Sequence, residues 1–382
     1  MPKLNNDILR EILEKIIKDN SNQTNNLPMA MYKFGLIGKQ NLLVLMEFFE
    51  NATECYIDKD CYIAKNRRSS LIIGAFAFAS VYLLSMMKNI GQSTKSLTIH
   101  DEPDSTKPII DAICEAKRLE ELGLADFAGA SSFQRIIKEC SKSLKKATIC
   151  VNSNIPHIGD LDGLCLNELI IETDLNNDLN DFLKEKCCRT KSLVFDLYQF
   201  LQTSSFNWEH LLQSFSGIQN PTLESVKEFK LLLEIDEYAE EIRLTEFIKN
   251  VAQTFPNLEL LNIEKQIPTQ LQYGYNALDY YNLLYGQFNS FLYNFKANIL
   301  WTVSQRCQQG SLQALKQNII SQSPEFTVTK EDDVHITLLC CNQISEYKQL
   351  TFKIHIIANS SSLNSNEETL LVEMNNFDFA DV

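Results

Sequence analysis

The segments Leu119-Glu-Glu-Leu122-Gly-Leu124 and Leu258-Glu-Leu-Leu261-Asn-Ile263 share one pattern, Leu-x-x-Leu-x-Leu, whose last apolar positions alternate as on a half-buried strand. Looser copies are Leu144-Lys-Lys-Ala147-Thr-Ile149 and Leu166-Asn-Glu-Leu169-Ile-Ile171, and partial ones are Leu97-Thr-Ile99, Leu193-Val-Phe195 and Phe229-Lys-Leu231. One equivalent residue per copy gives Leu97, Leu122, Ala147, Leu169, Leu193, Phe229 and Leu261, spaced by 25, 25, 22, 24, 36 and 32 residues. Helical apolar spacing fills the intervals at 109–116, 132–140, 179–187, 208–215 and 240–255. A strand and a helix in each unit predict parallel strands, each joined to the next through its helix. The two long steps predict insertions, one at 207–222 and one lengthening the turn at 236–241.

This pattern resembles leucine-rich repeats, in which one strand and one helix recur every twenty to thirty residues. The expectation is an α/β fold, a leucine-rich-repeat solenoid or horseshoe over residues 96–265. The resemblance implies Leu positions turned inward and their neighbours turned to a concave sheet face that holds a protein client. Those neighbours are Glu121, Gly123, Lys146, Thr148, Glu168, Ile170, Ser192, Val194, Asp196, Lys230, Leu232, Asn262 and Glu264.

Ahead of the repeats, Leu4, Ile8, Ile12, Leu13, Ile16 and Ile17 fall on one helical face, and the polar stretch 19–26 reads as a loop. Helical spacing resumes with Met31, Phe34 and Ile37 and continues through Leu42, Leu45, Met46 and Phe49. The order Leu4-Asn-Asn-Asp-Ile8-Leu9-Arg-Glu-Ile12-Leu13, with Phe34-Gly-Leu36-Ile37-Gly38-Lys39-Gln40 after it, is similar to an F-box. Asn5 stands where that family has Pro, and Gly38 where it often has Cys. The resemblance implies the substrate receptor of an SCF-type ubiquitin ligase, docked on a Skp1-like adaptor and its cullin complex through Leu4, Ile8, Leu9, Ile12, Leu13, Phe34, Leu36 and Ile37. Periodicity alone reads residues 1–50 as a helical cap on the first repeat, which would leave a repeat scaffold unrelated to ubiquitin.

The remaining organisation follows from composition. Residues 51–95 connect the front module to the repeats, with an extended piece at 54–57 and a helix at 69–87. The uncharged run 71–87 contains 17 residues, short of the ~20 that span a bilayer, and is expected to be a buried helix rather than a membrane span. Residues 266–382 read as helical and then β-rich. A helix from about Ala277 would carry the stripe Leu278, Tyr281, Tyr285, Phe288, Leu292, Phe295 and Ile299, and another would cover 311–321. Strands follow at 327–328, 334–339, 350–357 and 370–374, expected to cover the end of the sheet.

The chain has 382 residues and a formal charge of −14, which argues against nucleic acid as the main partner. Its 11 Cys include no C-x-x-C spacing, and the first residues carry no signal-peptide pattern. Reduced thiols in a cytoplasmic or nuclear protein are therefore expected. No H-E-x-x-H, nucleophile elbow, P-loop or dinucleotide fingerprint occurs, so no enzyme chemistry and no cofactor are expected. The stretch from His157 to Gly163 has a D-x-D-G look, but it lacks the ligand set of a calcium loop and is better explained as turn chemistry.

Overall fold

A computed structural model describes residues 5–20, 33–35, 37–57, 61–65, 70–74, 81–100, 106–124, 130–151, 161–174, 179–186, 188–198, 208–234, 243–266, 276–290, 292–308 and 310–359. The fold is α/β with a mostly parallel sheet, divided into two compact units. Unit 1 is Met1–Glu172 with Glu185–Lys191; unit 2 is Thr173–Lys184 with Ser192–Val382. The expectations for Leu4, Leu36, the turn at 236–241 and the strand at 370–374 fall outside the described residues; of the loop expected at 19–26, Asp19 and Asn20 instead end the first helix and the rest lies outside them.

Unit 1 begins with α1 (Asn6–Asn20) and α2 (Lys39–Glu50). Leu9, Leu13, Phe34, Val44, Leu45 and Phe49 are buried between and beneath them. At their surface Arg10 bridges Glu47 at 2.6 Å and Gln40 Nε2 donates to Asn6 Oδ1 at 2.7 Å. The helical spacing read from Met31 onward is interrupted: residues 33–35 are helical, Ile37 and Gly38 are not, and α2 starts at Lys39. Three strands then appear, β1 (Glu54–Ile57), β2 (Cys61–Lys65) and β3 (Ser70–Gly74), paired antiparallel in sequence.

The apolar run at 71–87 is therefore not one helix. Its front is strand β3, and α3 (Val81–Ser93) carries only its end. Apolarity without alternation does not separate a buried strand from a buried helix, and the β-branched pair Ile72-Ile73 before Gly74 favours the strand. No helix among the described residues is long and apolar enough to cross a membrane.

The parallel run of unit 1 follows: β4 (Ser96–Ile99), α4 (Lys107–Ala116), β5 (Glu121–Leu124), α5 (Ala130–Cys140), β6 (Lys146–Val151) and β7 (Cys165–Asp174). The strand order is β3-β2-β1-β4-β5-β6-β7. Pairing aligns Cys55 with Leu97, Leu97 with Leu122 and Leu122 with Ala147, so the repeated apolar positions form one buried row. The register is set where each strand starts. Thr53 O accepts the N–H groups of Lys95 and Ser96, Lys95 O those of Glu120 and Glu121, Glu120 O those of Lys145 and Lys146, and Lys145 O those of Asn167 and Glu168, at 2.7–3.2 Å. Helices pack closely behind. At Gly91 on α3 an added Cβ would lie 2.4 Å from Ile109 O and 2.7 Å from Ala112 Cβ.

Unit 2 holds α6 (Leu179–Glu185), most of β8 (Arg189–Tyr198), α7 (Trp208–Ser214), a 3-10 turn at Pro221–Ser225, β9 (Glu228–Glu234), α8 (Leu244–Thr254) and β10 (Leu260–Gln266). It ends with α9 (Ala277–Ser290), β11 (Lys296–Gln308), α10 (Leu312–Gln322), β12 (Thr327–Glu331), β13 (His335–Ser345) and β14 (Lys348–Asn359). The strand order is β8-β9-β10-β11-β14-β13-β12. Pairs from β8 to β14 are parallel and the last two are antiparallel. Leu193, Phe229, Leu261 and Ala297 stand in one row. Aromatic rings fill the space behind them: Phe195, Phe215, Phe229, Phe247 and Phe255 meet at centroid distances of 5.0–6.3 Å.

The long helix expected from Ala277 ends at Ser290. Leu278, Tyr281 and Phe288 are buried on it, but Phe295 and Ile299 belong to the approach and body of β11, and Leu292 is 89% exposed. Ile299, Thr302 and Val303 are β-branched, and β11 finds partners on both sides in β10 and β14. Tertiary pairing thus overrides a helical spacing that continued by coincidence. The parallel run accordingly extends past residue 265, the boundary drawn from the sequence.

The described cysteines are free thiols, most of them buried. Burial pushes the Cys55 thiol up to about 12 and the Cys114 thiol up to about 11, as for small core residues without thiolate chemistry.

Two stability effects follow. Gly91→Ala forces α3 and α4 apart and is expected to cost about 1–3 kcal/mol, read as a lowered midpoint in chemical denaturation. In unit 2, Lys265 is 1% exposed, its Nζ 4.8 Å from the Trp301 ring centroid and 5.6 Å from that of Tyr280. Burial outweighs these ring contacts and lowers its pKa from 10.5 to about 7. The unfolded chain then binds more protons between about pH 7 and 10.5, so stability rises with pH across that window and the full penalty stands below it. Lys265→Met is expected to raise stability at pH 7 and to flatten this slope, checked by urea unfolding at several pH values.

Candidate functional site

Each strand has two faces, because successive side chains point to opposite sides. The buried rows face the helices; the alternate positions face away, and these are the expected client residues. In unit 1, pairing aligns them across strands. Glu54, Ser96, Glu121 and Lys146 form one row, and Tyr56, Thr98, Gly123 and Thr148 the next. Lys146 Nζ reaches the Glu168 carboxylate at 2.6 Å, so Glu168 ends the first row, and Ile170 lies two positions further along β7.

Gly123 makes this surface concave locally. It has no side chain between Thr98 and Thr148, and a Cβ built there would come 3.2 Å from Thr98 Oγ1. The result is a depression of about 390 Å³ bounded by Ser96, Thr98, His100, Glu121, Lys146, Thr148 and Glu172. Its floor is hydroxyl-bearing and its rim is charged. Glu121 Oε2 accepts a hydrogen bond from Ser96 Oγ at 3.1 Å, and the His100 ring packs against Tyr56 with centroids 4.5 Å apart. Of the expected client residues, Glu121, Gly123, Lys146 and Thr148 meet here. Ser96, Thr98, His100 and Glu172 were missed. The same alternation marks them: Thr98 lies between Leu97 and Ile99 as Gly123 lies between Leu122 and Leu124.

In unit 2 the corresponding rows are Ser192 beside Glu228, Val194 beside Lys230 and Asn262, and Asp196 beside Leu232 and Glu264. Val194 is 5% exposed and offers nothing to a partner, contrary to expectation. Asp196 is partly buried, which raises its carboxyl pKa; nearby Lys230 lowers it less, being drawn to Glu264 at 3.3 Å. Asn298 on β11, missed because that stretch read as helix, extends the row by donating to Asn262 Oδ1 at 3.0 Å.

The six of the eight expected adaptor residues that are described divide. Leu9, Leu13 and Phe34 are 3%, 1% and 2% exposed and hold the front helices together. Ile8, Ile12 and Ile37 are 46%, 41% and 74% exposed, and Leu43, not foreseen, is 59% exposed. Ile8 and Ile12 are one helical turn apart on α1 and share a face.

Other polar clusters are internal to the fold. His335 Nε2 and His355 Nδ1 lie 3.0 Å apart between β13 and β14, each near Thr337 Oγ1. Burial lowers the pKa of both, His355 to about 3, so the pair is neutral at pH 7. Among the described residues no group of three or more His, Cys, Asp or Glu side chains is placed to hold a metal ion; His157 and Asp160 lie outside them. No protein-family model matches the chain, and no curated protein matches it.

Proposed function

We propose that this chain is a recognition adaptor: the parallel units are leucine-rich-type repeats, the sheet face turned from the helices holds a protein client, and the front helices dock on a Skp1-like adaptor of an SCF-type ubiquitin ligase. The observation that carries this reading is the division of the N-terminal residues into two sets. One set, Leu9, Leu13 and Phe34, is buried and stabilises the module; the other, Ile8, Ile12, Ile37 and Leu43, is exposed on it. Of these, Ile8 and Ile12 share one face of α1, and an apolar face left in water by a module that has already formed its core suits a further protein. The protein would form no bonds. It would raise the effective concentration of a client beside the transferring enzyme.

A second reading has its own support. Ser93 Oγ donates to Phe49 O at 3.1 Å and Asn89 Nδ2 to Glu50 Oε1 at 3.2 Å, tying α2 to the helix behind the first parallel strands. Such ties suit a structural cap on a repeat scaffold with no link to ubiquitin.

Affinity capture from native extract separates the two. Ile8→Asp with Ile12→Asp is expected to abolish co-purification of a Skp1-like protein, while the unfolding midpoint moves by no more than about 0.5 kcal/mol per exposed site. Leu13→Ala is expected instead to cost about 2–5 kcal/mol, as for a buried leucine. Capture unchanged by the double aspartate variant, or never seen with the intact chain, would leave the cap reading.

A further inference from the structure

The histidine pair of β13 and β14 sits within a wider polar surface. Pairing sets Ser304 on β11 beside His355 on β14, and His355 beside Thr337 on β13. All three lie on the face turned from the helices; Val303, Ile354 and Leu338 alternate with them and are buried on the other face. Lys330 on β12 pairs with Thr337. Lys353 lies two positions before His355, and Arg306 pairs with Ile357, two positions after it. Strand geometry places these three backbones about 7 Å along the strand, about 8 Å on the diagonal and about 10 Å across two strands from His355. Cations therefore stand on three sides of it.

In unit 2 Lys230 is held by Glu264, but Arg306, Lys330 and Lys353 have no ion pair among the described residues. Glu331, next to Lys330, is drawn to Lys316 on α10 at 2.6 Å. Asp332 opposes the cations at His335, but its Oδ1 already accepts the N–H groups of Val334 and His335 at 3.0 and 2.8 Å. Burial, and with it Lys330 and Lys353, holds both histidines neutral. Burial also lowers the pKa of Lys353, a half-buried charge without a counter-ion.

Two polar groups beneath these cations lack partners. Ser304 is 7% exposed, and its hydroxyl makes no hydrogen bond among the described residues. His335 is 8% exposed, and its Nδ1 has no partner. Burying polar groups and charges unsatisfied is costly, so the cluster calls for a group that supplies negative charge and acceptor oxygens. Three cations and a hydroxyl suit several oxygens carrying two charges better than a single carboxylate. A chain of net charge −14 repels a polyanion such as nucleic acid.

We propose that this surface binds a phosphate monoester as its dianion above His355, with Arg306, Lys330 and Lys353 pairing with its oxygens and Ser304 Oγ donating to one of them. The site is independent of the front helices. Its phosphate is carried either by a small molecule or by a side chain of a protein client, and the test separates the two.

The full chain, with nitrogen-15 in its five histidine rings, is titrated near pH 7.5, where a monoester is dianionic. The probes are glycerol 3-phosphate and acetyl-Ala-phosphoserine-Ala-amide. Saturable shifts of the His335 and His355 ring signals are expected, with His100 and His210 unmoved. Acetate and dimethyl phosphate should bind at least about tenfold more weakly, the size of one charge-assisted hydrogen bond. Lys353→Met should weaken the monoester by about tenfold and Lys330→Gln, at an exposed position, by at least about threefold. Lys249→Met on α8 and the Ile8→Asp, Ile12→Asp chain should bind it normally. Peptide binding at least about tenfold tighter than glycerol 3-phosphate assigns the phosphate to a client side chain, and equal or weaker binding assigns it to a small molecule; both uphold the site. No saturable shift at His335 and His355 with either monoester would overturn the proposal. So would a dimethyl phosphate or hexathymidylate affinity equal to that of the monoester, or unchanged affinity in the Lys330→Gln and Lys353→Met chains at unchanged thermal midpoints. Loss of adaptor capture with monoester binding retained would count against the ligase reading alone.

Discussion

A single backbone carbonyl, placed just before a strand and accepting two N–H groups from the next unit, is the interaction on which the rest depends. In unit 1 it recurs at Thr53, Lys95, Glu120 and Lys145; in unit 2, Lys227 O accepts from Glu259 and Leu260 at 2.7 and 3.0 Å. Each such carbonyl fixes where the following strand begins. Because side chains alternate, a slip of one residue would turn every leucine outward and every polar neighbour inward. The carbonyls hold the buried rows and the outward rows in phase together. Charges reinforce the same positions at the surface: Glu120 sits between Lys95 and Lys145, at 3.5 and 2.5 Å, and Lys227 meets Glu259 at 2.5 Å. These ion pairs are exposed, so their contribution is small beside the backbone geometry.

Helices cannot share backbone hydrogen bonds sideways as strands do, and in unit 2 asparagines take over that task. Asn180 Nδ2 donates to Gln213 O and Ser216 O, Asn220 Nδ2 to Leu183 O and Lys184 O, and Asn250 Nδ2 to Leu212 O, all at 2.8–3.1 Å. The acceptors are carbonyls in the last turn of a helix or just past it, and Leu212 O and Gln213 O also accept from Phe215 N–H and Ser216 N–H. The amide groups therefore tie successive connections together at exposed and half-buried positions. Phe195, Phe215 and Phe229 fill the space in front of them, so the apolar and polar contributions support one spacing.

The parts of this architecture legible in the sequence were those written at fixed spacing. Leu97, Leu122, Ala147, Leu193, Phe229 and Leu261 stand in aligned strands because alternation and period are local properties that burial on one side enforces. The helices at Lys107–Ala116, Ala130–Cys140 and Leu312–Gln322 were readable for the same reason. The strands β3 and β11 were not. Leu71 to Gly74 is apolar at every position until the glycine, and Phe288 to Ile299 happens to step at helical intervals; the deciding partner is the neighbouring strand β2 for β3, and β10 with the more distant β14 for β11. The site was half legible. The outward positions could be named from alternation, yet the absence of a side chain at Gly123 gains meaning only once Thr98 and Thr148 lie beside it. The N-terminal apolar face was visible as a face, but periodicity does not say which of its residues a neighbouring helix covers.

The steps between aligned strand positions vary from 25 to 36 residues, while paired strands keep the same phase. Connection length is therefore uncoupled from strand position. Lengthening a connection costs little free energy, about 0.6 kcal/mol for each doubling, whereas shifting a strand would disturb a whole buried row. Variation can accumulate on the helical side without moving the residues displayed opposite. The two sides of the sheet are thus open to selection separately, one for tolerance of change and the other for what it displays.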